Sequence, residues 1–160
     1  MNQELRIMGI KNKVKSIGFT LIELLVAISI IGILSSFLLA NFIGVRQRAR
    51  DGVRKSDLRQ IQSALELYRS DQSTYPPNTS FSTCGGAFTG GNPVTTYMQK
   101  IPCDPSSTAS TPISYTYNSI SPNTAYTIVA CLENVNDPQL DSPKANCTGN
   151  TTWKYTLQNP

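Results

Sequence analysis

From Phe19 to Val45 the chain carries a single charge, Glu23, inside an otherwise apolar run. A helix crosses a bilayer with about 20 apolar residues, so this run is long enough to span one. A carboxylate near the start of such a segment costs about 2.5 kcal/mol or more at the membrane centre and less near the interface. Glu23 must therefore be compensated or used. Lys11, Lys13 and Lys15 stand just before Gly18, a basic flank of the kind that stays on the cytoplasmic side, so the part after Gly18 is expected to face outward. A secretory signal has a shorter apolar core followed by its cleavage site; an uncleaved signal anchor is the weaker competitor.

The charge distribution supports a targeting role for the first residues. Net charge is +4; the segment through Gly18 holds Arg6 and three lysines against Glu4, so its removal leaves +1. The run Gly18-Phe19-Thr20-Leu21-Ile22-Glu23, with a basic leader before it and a membrane-length apolar stretch behind it, resembles the N-terminus of type IV prepilins and type II secretion pseudopilins. The resemblance implies cleavage by a prepilin peptidase between Gly18 and Phe19, N-methylation of Phe19, release from the membrane and polymerisation into a helical filament. It divides the chain into a leader (1–18), a transmembrane and filament-core helix (19–45) and a globular pilin-like domain (46–160). It also implies a cytoplasmic ATPase and an inner-membrane platform as partners, membrane lipid before assembly, and a periplasmic or surface filament afterwards.

Glu23 has a physical role in that scheme. Cleavage leaves an α-amine on Phe19 that stays positive after methylation. Among packed apolar helices a carboxylate is tolerable only with a partner. The amine of a neighbouring subunit supplies one, and such a pair sets register between subunits. The alternative is that Glu23 sits in the interfacial zone of an ordinary anchor helix.

Beyond the apolar run, Leu58, Ile61, Leu65 and Tyr68 recur at helical spacing with Ala64 beside them, so one helix is expected from Phe19 to about Asp71. Local unwinding, if any, is expected at Gly32 to Ser36, because glycine weakens a helix and no proline stands at Ala40. Arg46, Arg48, Arg50, Arg54 and Lys55 against Asp51 read as a solvated face near lipid phosphates. Nucleic-acid contact is disfavoured by the lack of interleaved aromatics. Tyr75 before Pro76 is expected to be extended. Ala64 to Asp71 followed by Tyr75-Pro76 resembles the helix-to-loop junction of major pseudopilins and many pilins, and Lys100 to Pro105 resembles the family's entry to its sheet.

Residues 77–100 are too rich in glycine for regular structure, apart from a short helical turn near Val94 to Gln99. Ile113 to Asn118 and Ala125 to Leu132 alternate as strands around a turn at Pro122-Asn123, and Trp153 to Leu157 makes a third. Three short strands need a cover, and the Leu58 to Tyr68 stripe provides it. The fold class is α+β: a long N-terminal helix, membrane-spanning in its first half, packed by its second half on a small antiparallel sheet.

Four cysteines follow the apolar run, which points to disulfides in an oxidising compartment, with three pairings open. Cys84–Cys103 and Cys131–Cys147 are favoured because each closes a compact polar loop. With no CxxC and no histidine, zinc is disfavoured. Glu133, Asn134, Asn136, Asp137 and Asp141 offer oxygens for calcium, but their spacing is not that of an EF-hand, and a pinned polar loop is the simpler reading. Asn78, Asn146 and Asn150 stand in N-glycosylation patterns that polar loops produce by chance. With no histidine base, Walker loop, dinucleotide fingerprint or catalytic carboxylate pair, no enzyme is expected. The favoured function is a pseudopilin of type II secretion. The alternatives are the subunit of a surface type IV pilus, used for adhesion, motility or DNA uptake, and an unprocessed membrane-anchored binding module.

Overall fold

The computed structural model describes residues 18–81, 83–147 and 152–160, with the side chains of 37–41 and 80 left aside. The basic leader with Arg6, Lys11, Lys13 and Lys15, and the pattern at Asn150, lie outside these residues.

One helix, α1, runs from Leu21 to Gln72. It is continuous, so the expected unwinding at Gly32 to Ser36 does not occur: isolated small residues weaken a helix without breaking its backbone bonds. It ends at Ser73, whose φ of 62° is left-handed and whose N–H bonds to Arg69 O at 2.7 Å. The chain divides into two compact units, Met1–Ala40 and Asn41–Pro160, and α1 contributes to each. Among the described residues, which leave out the side chains of 37–41, no helix is long and apolar enough to cross a membrane, so the membrane-spanning first half expected of α1 is not found among them.

In the first unit Leu21, Ile22, Leu25, Ile28, Ile31 and Ile33 are all exposed. Apolar character on every face leaves no single stripe for a chain to fold onto.

The second unit holds the core. Strands β1 (Phe88–Gly90) and β2 (Thr95–Met98) form a two-stranded antiparallel sheet. Strands β3 (Thr116–Ile120), β4 (Ala125–Leu132) and β5 (Trp153–Gln158) form an antiparallel sheet in the order β3-β4-β5. In β4, Tyr126, Ile128, Ala130 and Leu132 are buried and alternate with partly exposed neighbours, so one face looks inward. Leu58, Ile61 and Leu65 of α1 are fully buried against that face, in one cluster with Tyr126, Ile128 and Leu132. The α+β arrangement of helix stripe on antiparallel sheet is thus present.

The hairpin β1–β2 replaces the irregular loop and helical turn expected over 77–100. Its cause is aromatic packing. Phe88 lies 5.0 Å from Phe81 and 5.5 Å from Tyr97, and Tyr97 lies 5.1 Å from Tyr68, between ring centroids. The glycines permit the approach: a Cβ on Gly90 would stand 2.6 Å from the Tyr68 ring. Strand β3 begins at Thr116, later than the alternation from Ile113 suggests.

Candidate functional site

The N-terminal candidate site is built by the first turn of α1. Thr20 precedes the helix, and its Oγ1 accepts from Glu23 N–H at 3.3 Å. The Glu23 carboxylate reaches back, Oε2 accepting from Thr20 N–H at 2.8 Å and from Thr20 Oγ1–H at 2.6 Å. This reciprocal pattern is a capping box, which satisfies otherwise unpaired donors at a helix start. Beside it, Ile22, Val26, Ala27 and Ile30 line an open apolar hollow with Glu23 at its edge. Gly18 and Phe19 are both exposed, Phe19 at 87%, so the peptide between them is accessible. The structure therefore brings Glu23 to Thr20 of its own chain. The Thr-x-x-Glu spacing was the available signal for Thr20.

A second cluster lies in the globular unit: Arg46 and Arg48 are exposed, as a solvated face requires, but Arg50, Arg54 and Lys55 are drawn into ion pairs and depart from that reading. Arg54 is 3% exposed. Its Nε and NH2 donate to the two Asp104 carboxylate oxygens at 2.7 and 2.9 Å. Its NH1 donates to Asp51 Oδ1 and Glu133 Oε1, each at 2.8 Å. Arg50 adds a fork onto Glu133, Nε to Oε1 at 2.7 Å and NH2 to Oε2 at 2.5 Å. Asp51, also buried, accepts from Glu133 N–H and Asn134 N–H at 2.9 Å each. Lys55 donates to Asp137 at 2.6 Å. Buried charge requires such partners. Sequence spacing missed the cluster because Arg50 and Arg54 meet acceptors more than 75 positions away at Glu133, and periodicity does not report that.

The electrostatics follow from these contacts. The Arg50 bonds hold the Glu133 carboxyl below its ordinary range, with Arg54 adding to the effect against a smaller burial penalty. Burial pushes the Asp104 carboxyl up, but Arg54 and Ser106 outweigh it and hold it low. Burial likewise opposes Asp137, and Lys55 prevails. Asp57 is the exception: burial raises its carboxyl although Tyr115 donates to it at 2.7 Å.

The calcium candidates are thus engaged separately. Glu133 faces Arg50 and Arg54, Asp137 faces Lys55, and Asp141 accepts from Thr156 N–H and Oγ1–H at 2.8 and 2.6 Å. The Asn136 backbone N–H donates to Asn134 Oδ1 at 3.2 Å. Among the described residues no cluster of three or more carboxylates or other ligating side chains is arranged to hold a metal ion; Glu133 and Asp137 are held instead by cations of α1. Cys84 is joined to Cys103 and Cys131 to Cys147. The Asn78 side chain accepts from Ser119 N–H, within the fold.

Residues 14–39 match the family model described as the prokaryotic N-terminal methylation motif. Type II secretion system core protein G of Vibrio cholerae is 39% identical over 62 residues, covering 39% of this chain and 42% of that protein. The core protein G of Klebsiella pneumoniae is 41% identical over 59 residues, 37% of this chain and 42% of that one. The Pseudomonas aeruginosa protein of the same name is 32% identical over 94 residues, 55% of this chain and 66% of that one. The chain thus spans about two fifths of the first of these relatives. No solved structure matches. The chain carries the prokaryotic N-terminal methylation motif at residues 14–39 and is similar over part of its length to type II secretion system core protein G.

Proposed function

We propose that the chain is a pseudopilin subunit of a type II secretion system. The observation that carries this reading is the extent of the similarity to core protein G. It covers 62 residues in one relative and 94 in another, more than the motif at 14–39 can account for.

In this reading the chain is inserted in the inner membrane with residues 19–45 in the bilayer, and a prepilin peptidase cuts after Gly18. The exposed Gly18 and Phe19 suit that access. The new amine of Phe19 is methylated. In the single chain Glu23 is satisfied by Thr20. In the filament it meets the Phe19 amine of a neighbour, an ion pair between two formal charges in place of bonds from the uncharged Thr20 donors. The exposed apolar side chains of Leu21 to Ser36 are then covered by copies of themselves, which gives the filament its cohesion. The subunit does no covalent chemistry; a cytoplasmic ATPase and a membrane platform extend the filament.

Deleting the gene and assaying secretion tests the reading, with the sheared cell fraction probed for filaments. Failure of secretion, restored by the wild-type gene and not by Glu23→Ala, is the expected result. Intact secretion with the protein abundant in long surface fibres would overturn it in favour of a type IV pilus, the reading that the two disulfides favour.

A further inference from the structure

Both acceptors that reach Arg54 from outside α1 stand beside a cystine. Asp104 follows Cys103 directly, and Glu133 lies two positions after Cys131. The two cystines close separate loops, Cys84 to Cys103 and Cys131 to Cys147. One guanidinium, 3% exposed, bonds to both carboxylates at 2.7 to 2.9 Å. Asp51 extends the link, because the oxygen that accepts from Arg54 also accepts from Glu133 N–H. Asp104 is held in place by its own N–H bond to Ile113 O at 2.9 Å and by Ser106 N–H at 2.9 Å on its carboxylate.

We infer that Arg54 couples the two disulfide-closed loops into one redox-dependent lock on α1, which closes fully only when both cystines have formed. A loop that loses its cystine gains conformational freedom, and its carboxylate withdraws for part of the time. The guanidinium is then a buried charge short of partners. Water enters to solvate it, and that opening weakens its bonds to the other loop. Each closure joins two thiols to a disulfide, and an external disulfide takes up the two electrons and two protons and leaves as two thiols. In a reducing compartment the lock therefore stays open. The coupling is independent of whether the chain polymerises.

The test is residue-resolved hydrogen exchange on the full chain in detergent micelles, comparing wild type with the double variant Cys84→Ser/Cys103→Ser. The expected result is at least about tenfold faster exchange at the Glu133 and Asn134 amides, in the loop whose cystine is untouched, with Ile128 and Tyr155 in the β4–β5 ladder still protected. Asp104→Asn, which keeps both cystines, is expected to release the same two amides and carries the test if the cysteine variant does not fold. Faster exchange confined to residues 84–106 would overturn the coupling. So would a uniform rise at every amide, which reports only global destabilisation.

Discussion

The two halves of α1 are one helix with opposite fates. In the first half, apolar side chains on all faces stay exposed, Ile33 at 68% among them. In the second half a short stripe is buried with Ala64 in it, and its larger side chains Leu58, Ile61 and Leu65 are removed from solvent entirely. Apolar content therefore does not decide burial within a chain. A stripe on one face meets a complementary sheet, whereas apolar surface on all faces needs several partners at once, and one chain does not supply them. Charge follows the same division. Glu23 is satisfied by one turn of its own helix, while Arg54 draws acceptors from two distant loops.

This contrast makes predictions of graded size. Arg54→Ala leaves Asp51 and Asp104 buried without their cation and is expected to destabilise the Asn41–Pro160 unit by about 3–5 kcal/mol. Denaturant titration of the full chain in micelles measures it, and a loss below about 1 kcal/mol would show that water enters the cluster freely. Leu65→Ala should cost about 3 kcal/mol in the same titration through lost burial and the cavity left behind. The matched change Leu34→Ala, at an exposed position, should stay within about 0.5 kcal/mol for the isolated chain. Equal costs for the two leucines would abolish the distinction between the halves.

The acid response is smaller. Glu133, Asp137 and Asp104 have carboxyls held below their ordinary values of 4.5, 3.8 and 3.8. The folded state then binds fewer protons than the unfolded one. Their contribution is complete above those values and is lost as pH falls below about 4.5 and through the lowered folded values. Asp57, raised above 3.8 by burial, acts in the opposite direction. Melting temperature should therefore decline below about pH 4.5, and Glu133→Gln should flatten that decline. A local effect, confined to the helix start, belongs to Thr20→Val. It removes the hydroxyl half of the capping box, costs about 1 kcal/mol at the helix start, and should speed exchange of the Glu23 amide without shifting the melting of the globular unit.

The sequence by itself determined the local features. The apolar run after Gly18, the stripe at Leu58, Ile61 and Leu65, the alternation of Ala125 to Leu132 and the helix stop near Asp71 depend on neighbours a few residues apart, and periodicity reports those. Tertiary structure alone decided the hairpin at Phe88 to Met98, because aromatic contacts with Phe81 and Tyr68 override a glycine-rich local preference. It also decided the fate of the charges. Arg50, Arg54 and Lys55 read as a solvated run, and Glu133 and Asp137 as part of a polar loop with calcium as the lesser alternative, until the fold sets them face to face. Whether a charge is solvated, paired or coordinating depends on what stands within a few ångströms of it, and for side chains this far apart in sequence only the packing of loop on helix settles that.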